Sequence, residues 1–257
     1  MPERTVSIVT GASSGIGAAI AEDLAQAGCN IVVNFSSNQE GGEAVARACR
    51  EYGVEAIAQR GDISANIDCQ AIVNAALDKW GRLDVLVNNA GVTRFADAVD
   101  LNALDSGDFE KIFAVNVVGC YQMCKAAAPE LGKSRGAIVN ISSHAGFSGI
   151  GSSIAYAASK GAVNTMTLSL ARSLAPDVRV NAVCPGFVDT DWMVPKLAGR
   201  ELAEFKEKAA RIAPLQRIIT PQEVAEATRW FALQGKSITG QLLVIDGGTH
   251  LTVGAPL

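Results

Sequence analysis

"Thr-Gly-Ala-Ser-Ser-Gly-Ile-Gly", residues 10–17, leaves the β-branched run "Val-Ser-Ile-Val-Thr" (6–10) and enters a helical pattern over roughly 15–28. Its glycines, Gly11, Gly15 and Gly17, are spaced G-x3-G-x-G rather than in the commoner G-x-G-x-x-G. Lacking a Cβ, glycine lets backbone approach a ligand or neighbouring chain closely, and a helix N-terminus attracts pyrophosphate. Such a turn at the first strand-to-helix switch predicts an α/β chain whose first loop cradles a phosphate. The alternative reading is a glycine turn that serves packing alone.

The rest of the chain continues that pattern. Short apolar runs at 6–10, 30–35, 54–58, 85–88, 137–141, 178–183 and 242–245 read as seven strands. Several are apolar nearly throughout, as strands covered on both faces must be. Helical periodicity occupies roughly 15–28, 39–53, 66–81, 106–132, 156–175 and 221–233. Repeated strand–helix–strand order predicts a seven-stranded parallel, doubly wound α/β sheet with helices on both faces. No linker, repeat or low-complexity segment divides the chain, so 1–257 reads as one domain. The segment 187–216, with Trp192, Met193, Pro195 and a charged run near 200–211, does not behave as a simple crossover helix. It reads as a substrate lid.

Composition narrows the function. The 257 residues include 49% hydrophobic and 19% charged side chains, enough for a full core without staples. The net charge of −4 and the lack of a basic block argue against a nucleic-acid partner. No apolar run approaches ~18 residues, which argues against a membrane span. The start "Met-Pro-Glu-Arg-Thr-Val-Ser-Ile-Val-Thr" lacks the charged-then-apolar layout of a signal peptide. The six cysteines are scattered, with no zinc-like pairing, so reduced thiols and a cytoplasmic location are expected, and no metal site.

Two tyrosines stand four residues before a lysine: Tyr156–Lys160 in "Ser-Ile-Ala-Tyr-Ala-Ala-Ser-Lys" (153–160) and Tyr121–Lys125 in "Tyr-Gln-Met-Cys-Lys". Both spacings share a helix face. Only Tyr156 opens a helix just after a Ser/Gly-rich loop leaving the fifth strand, and ligands of open α/β sheets bind beyond the carboxyl ends of strands. Tyr121 falls in mid-helix. A free tyrosine has a pKa of about 10, so service as a base near neutrality needs a drop of roughly three units, or about 4 kcal/mol. A lysine cation in a partly desolvated cleft is a candidate source of that drop.

With the glycine segment, "Asn-Asn-Ala-Gly" (88–91), the Ser143–Tyr156–Lys160 set and "Pro-Gly" (185–186) in view, the chain resembles the single-domain short-chain dehydrogenase/reductase family over essentially its whole length. The resemblance implies a Rossmann-like fold and an NAD(P)-dependent oxidoreductase acting on a ketone or secondary alcohol. It implies that Tyr156 exchanges the proton, that Lys160 tunes Tyr156 and binds ribose, and that Ser143 positions the substrate oxygen. Ser142 is the adjacent alternative, and the 13-residue offset to Tyr156 selects Ser143. Asn116, in "Ala-Val-Asn-Val", resembles the family asparagine that holds a water against Lys160 in a proton relay. Its other reading is a polar group satisfying helix backbone. Cofactor contacts are implied for Gly11, Ser13, Ser14, Gly15, Ile16 and Gly17 in the first loop and for Phe35 and Ser36 after the second strand. Further contacts are implied for Asp62 and Ile63, for Asn89, Ala90 and Gly91, and for Pro185, Gly186, Val188 and Thr190. Asp62 resembles the aspartate that hydrogen-bonds the adenine amino group, with a strand-end cap as the other reading. Asp246, in "Ile-Asp-Gly-Gly", reads as an organiser of the C-terminal turn.

An acidic residue closing the second strand would hold the ribose 2′-hydroxyl of NAD and repel the phosphate of NADP. That strand ends "Asn-Phe-Ser-Ser" (34–37), and Phe35 sits where the acid is expected, which favours NADP without excluding NAD. Ser14 stands where many NADP-using relatives carry Arg or Lys. Within the family the chain looks most like 3-oxoacyl-[acyl-carrier-protein] reductases, through "Asn-Phe-Ser-Ser", "Val-Asn-Ala-Val-Cys-Pro-Gly-Phe-Val-Asp-Thr" and "Ile-Asp-Gly-Gly". Carrier-protein docking favours basic residues beside the cleft. Lys133 and Arg135 qualify, whereas "Ala-Pro-Asp" (175–177) places an acid there. A dehydrogenase of a sugar, polyol, steroid or other hydroxy compound stays open, as does a non-catalytic nucleotide sensor on the same fold. His144 beside Ser143 suggests a hydrolase, but neighbours on a strand point to opposite faces and no G-x-S-x-G elbow surrounds Ser143. The resemblance also implies a homotetramer built through the helices at 106–132 and 156–175 and through the C-terminal strand region. The apolar tail 249–257 is available for a neighbour to cover.

Overall fold

The structure is a computed structural model that describes residues 4–193, 197 and 199–252. The first three residues, parts of the lid segment (194–196 and 198) and the end of the apolar tail (253–257) lie outside the described residues. Seven strands form one all-parallel sheet: β1 (Val6–Val9), β2 (Asn30–Phe35), β3 (Ala56–Arg60), β4 (Val85–Asn88), β5 (Ala137–Ile141), β6 (Arg179–Pro185) and β7 (Leu242–Ile245). Their order is β3-β2-β1-β4-β5-β6-β7, so the winding reverses between β1 and β4.

Side-chain alternation divides the core in two. Val85 and Val87 face helices α1 (Gly15–Gln26), α2 (Gln39–Glu51) and α9 (Pro221–Arg229), packing with Ile20, Leu24, Val45 and Val224. Leu86, between them, faces the other way. There it packs with Ile72 of α3 (Asn66–Trp80), Met123 and Leu131 of α5 (Cys120–Ser134), and Ala171 of α7 (Ile154–Leu174). Two further helices, α4 (Ser106–Phe113) and the short α6 (Ala145–Ser148), stand near the carboxyl ends of the central strands, and α8 (Gly199–Ile212) follows β6.

Three sequence expectations need correction. The third strand occupies Ala56–Arg60 rather than 54–58, because its ladder with β2 pairs Ile31 with Ala56 and Phe35 with Arg60. The pattern at 106–132 is not one uniform helix: α4 and α5 are joined by a π-helical stretch, Ala114–Gly119. A second π-helical stretch, Trp230–Gln234, closes α9. Such stretches break the regular hydrogen-bond ladder and are frequent at functional sites. Finally, the charged run after 198 is itself a helix, α8, with no residue fully buried.

Candidate active site

A cavity of about 1160 Å³ lies beyond the carboxyl ends of the strands, at the β1/β4 reversal. It exceeds the roughly 300–1,000 Å³ of an ordinary small-molecule pocket. Its floor is the loop after β1. Gly11 (φ +61°) and Gly15 (φ +56°) hold left-handed backbone, which suits glycine. A Cβ on Gly11 would lie 2.7 Å from Ala90 Cα, and one on Gly17 would lie 2.4 Å from Asn89 Nδ2 and 2.5 Å from the Gly11 carbonyl. The loop is therefore drawn tightly against "Asn-Asn-Ala-Gly", leaving its open side to the cavity, where a Cβ on Gly15 would lie 3.6 Å from Thr190 Cγ2.

Buried polar side chains hold this arrangement. Thr10 Oγ1 accepts from the backbone N–H groups of Asn89 (3.0 Å) and Ala90 (3.1 Å). Asn89 Nδ2 donates to the Thr10 and Gly11 carbonyls, both at 3.0 Å. Asn34, fully buried on β2, accepts from Gly11 N–H at 3.3 Å and donates to the carbonyls of Gln59 and Gly61 at 3.2 and 3.1 Å. Asn34 thus ties the phosphate loop to the end of β3. It was not singled out in the sequence, although a lone amide in an apolar strand is the available signal. Asn88 acts one strand further on, donating to Asn140 Oδ1 at 2.9 Å, and Asn140 donates to Thr167 on α7 at 2.9 Å.

The two ends of the cavity differ in chemistry. Ser13, Ser14, Ile16, Ser36, Asp62, Ile63 and Val188 line it together with the glycines. Asp62 Oδ1 accepts from Ser64 N–H and Oγ–H at 2.9 and 2.8 Å, so the carboxylate also caps the local turn. Phe35 does not reach the cavity. Its ring is 4% exposed and lies against Gly42 of α2, where a Cβ would be 2.5 Å from Phe35 Cδ1. Strand parity turns Phe35 into the core and presents Asn34 and Ser36 to the cavity. The residue of this strand end that lines the cavity is therefore Ser36, not Phe35.

At the other end stand Ser143, Tyr156 and Lys160. Ser153 caps α7, accepting from Tyr156 N–H at 3.2 Å, and so sets Tyr156 in the first turn. The Ser143 hydroxyl hydrogen-bonds the Tyr156 phenol; it also accepts from Ala145 N–H at 3.1 Å and donates to the Pro185 carbonyl at 3.4 Å. Ser142 is otherwise occupied, donating to Asn164 Oδ1 at 2.6 Å and to the Lys160 carbonyl. Lys160 Nζ donates to the Ile141 carbonyl at 2.8 Å and sits 5.6 Å from the centre of the Tyr156 ring. Burial pushes the Tyr156 phenol up to about 12, opposed by the Ser143 hydrogen bond, and pulls Lys160 down to about 8. The protein by itself thus moves Tyr156 away from neutrality, contrary to the drop expected of a base.

Asn116 belongs to the first π-helical stretch and is almost wholly buried. Its Oδ1 accepts from Val92 N–H at 2.8 Å, and its Nδ2 donates to the Val92 carbonyl and to Ser159 Oγ, both at 3.0 Å. A Cβ on Gly91 would lie 3.4 Å from Asn116 Oδ1 and 3.8 Å from Lys160 Nζ, so the three residues converge. Asn116 clamps the loop after β4 rather than its own helix backbone. Pro185 and Gly186 end β6 against Asp246; a Cβ on Gly186 would meet Asp246 Cβ at 2.6 Å. Asp246 organises its turn, accepting from Gly248 N–H and from His250 N–H and Nδ1. The substrate end is closed by Phe95, Ile150, Phe187, Trp192 and Phe205, with the Trp192 ring 6.3 Å from that of Tyr156.

Several expectations meet a different geometry. Tyr121 is half exposed on α5 and does not line the cavity. His144 and Ser143 both line it, because β5 stops at Ile141 and strand alternation no longer separates them. His144 Nδ1 lies 3.9 Å from Asp246 Oδ2, and burial lowers its pKa. Lys133 and Arg135 end α5, which leads into the amino end of β5, opposite to the cavity. Asp177 likewise precedes β6 and lies at that far end. Besides Lys160, the lysine that lines the cavity is Lys111 of α4.

The open glycine cradle, the cavity volume and the hydroxyl and amide lining fit a dinucleotide together with a small substrate. Comparison with known proteins agrees. The family model for short chain dehydrogenase matches residues 5–201. A Streptomyces violaceoruber protein named for ketoacyl reductase 2 of the granaticin polyketide synthase is 41% identical over 251 residues, covering 97% of this chain and 98% of the relative. The 3-oxoacyl-[acyl-carrier-protein] reductase FabG of Staphylococcus aureus (strain Mu50) is 35% identical, covering 95% and 98%. A Burkholderia xenovorans crystal structure described as a short-chain dehydrogenase/reductase superposes with a TM-score of 0.91 at 38% identity, covering 98% of this chain and all of the other.

Proposed function

The chain belongs to the short chain dehydrogenase family, and from that premise we propose that it reduces a ketone, of the 3-oxoacyl thioester class, with NADPH. It is an NAD(P)-dependent oxidoreductase. A nicotinamide dinucleotide held along the glycine loop, Ser36 and Lys160 would supply the hydride. Tyr156 supplies the proton to the carbonyl oxygen, and burial that holds it near 12 keeps it protonated at neutral pH, as an acid requires. Ser143 donates a hydrogen bond to the same oxygen as negative charge develops; its 3.4 Å bond to Pro185 is weak enough to exchange. Lys160, at about 8, remains largely cationic at pH 7, steadies the tyrosinate left behind and binds ribose. Asn116 holds the loop and the Lys160 surroundings through which the proton is replaced. Gly11, Gly15 and Gly17 would hold the pyrophosphate, and Phe187, Trp192 and Phe205 would close over the substrate.

The observation that carries this reading is the meeting of Ser143, Tyr156 and Lys160 at one wall of a cavity beyond the strand ends. The thioester class is supported by the named relatives and by Lys111 at the cavity wall, suited to an acidic carrier. NADP is supported by the missing carboxylate at the end of β2. The homotetramer is supported by apolar side chains that stay exposed on the proposed interfaces: Phe109, Val118, Tyr121 and Leu168 on one, Leu243 and Leu251 on the other. A cytoplasmic location is supported by six unpaired, buried cysteines. No described helix is long and apolar enough to cross a membrane. The test is turnover of purified protein with NADPH and NADH against a ketone panel that includes 3-oxoacyl thioesters. Reduction of simple ketones with no thioester activity would remove the substrate class; no turnover of any ketone would favour the sensor.

A further inference from the structure

A 2′-phosphate on the adenosine ribose carries nearly two negative charges, and a protein that selects it needs a cation within hydrogen-bonding reach. The glycine loop offers none, since Ser13 and Ser14 stand there, and the end of β2 offers only Ser36 and Ser37. A cation stands at this end of the sheet on a different strand. Parallel pairing sets Arg60, the last residue of β3, beside Phe35, the last residue of β2. Asn34 fixes that register by donating to the carbonyls on both sides of Arg60, those of Gln59 and Gly61. Arg60 is exposed, and its Nε donates to the Ser36 carbonyl at 3.3 Å. Ser36 itself lines the cavity at the nucleotide end. Among the described residues no hydrogen bond or ion pair occupies the two terminal nitrogens of this guanidinium. The acid two positions on, Asp62, has its Oδ1 engaged by Ser64.

We propose that Arg60, which stands beside the cavity and not among its lining residues, is the residue that selects a 2′-phosphorylated nucleotide, with its guanidinium held against the Ser36 carbonyl and the Ser36 hydroxyl as second donor. This rests on the NADP reading and assigns its charge to β3. The sequence hides the assignment, because Arg60 lies 24 positions beyond Ser36 and only strand pairing unites them.

The test is calorimetric binding of 2′,5′-ADP and 5′-AMP, two nucleotides that differ only in the 2′-phosphate, to the wild-type chain and to Arg60→Gln. The wild type is expected to bind 2′,5′-ADP about 10- to 100-fold more tightly than 5′-AMP, the span of one or two charge-assisted hydrogen bonds. Arg60→Gln should bring the two affinities within about threefold by weakening 2′,5′-ADP alone. The side chain is exposed, so the variant should keep the wild-type thermal midpoint and 5′-AMP affinity. If the wild type does not prefer 2′,5′-ADP, the NADP reading itself fails. If it does and Arg60→Gln keeps that preference, the NADP reading stands and Arg60 is the wrong residue. Equal loss of both nucleotides would also overturn the assignment, because a 2′-phosphate contact concerns only one of them.

Discussion

Titration of Tyr156 tests the active site most directly. The chain has three tyrosines, Tyr52, Tyr121 and Tyr156, so ultraviolet difference spectra of the nucleotide-free wild type minus Tyr156→Phe isolate one phenol. An ordinary tyrosine ionises near 10. Burial beneath Trp192 and the loop after β5 pushes Tyr156 up to about 12, and the Ser143 hydrogen bond offsets only part of that. That rise corresponds to roughly 3 kcal/mol in favour of the neutral phenol. The folded value is the raised one, so this stabilisation is full below pH 10, where the unfolded chain would ionise, and is lost as pH climbs through 12. The difference signal should therefore rise with a midpoint near 12 and well above 10. Ser143→Ala, which removes the group holding the phenolate, should raise the midpoint further. Saturating oxidised dinucleotide should lower it, because a cation then enters the cleft. A midpoint at or below 10 in the nucleotide-free protein would refute the claim that the site by itself keeps Tyr156 protonated, and with it the acid role at neutral pH.

Tyr156→Phe should abolish turnover while leaving dinucleotide affinity, measured by fluorescence quenching, within about twofold, whereas Tyr121→Phe on the outer face of α5 should keep most activity. Gly17→Ala forces a Cβ to within 2.5 Å of the Gly11 carbonyl, an overpacking of about 1–3 kcal/mol; calorimetry should show dinucleotide affinity reduced at least tenfold, and an unchanged affinity would mean that the loop does not hold the phosphates. Asn116→Ala strands the Val92 N–H and carbonyl and the Ser159 hydroxyl, and at about 1–3 kcal/mol per unsatisfied group the thermal midpoint should fall by roughly 5 °C or more. Light scattering at micromolar concentration should give four times the 26.7 kDa chain mass, and a single-chain mass would remove the interface assignment without touching the catalytic one.

The parts of this protein legible in its sequence are those set by near neighbours along the chain. Apolar runs of four to six residues and helical periodicity between them suffice to lay out the parallel sheet, because covered strands must be apolar and crossovers must be long. The choice of Tyr156 over Tyr121 rests on a local fact too: one follows a strand end and a loop, the other lies within a helix. What only the tertiary structure decided are questions of parity and register. Phe35 and Ser36 are adjacent, yet one fills the core against Gly42 and the other lines the cavity, because side chains alternate across the strand. His144 stands beside Ser143 in the cavity because β5 ends at Ile141, as its apolar run does, and strand alternation no longer separates neighbours beyond that point. Lys133 and Arg135 fall at the far end of the sheet because α5 returns antiparallel to the strands it connects. Arg60 reaches Ser36, and Asn116 reaches Val92, through pairings across 24 residues of chain in each case. Periodicity carries no information about such contacts, since they depend on how distant segments are aligned when their apolar faces are buried together.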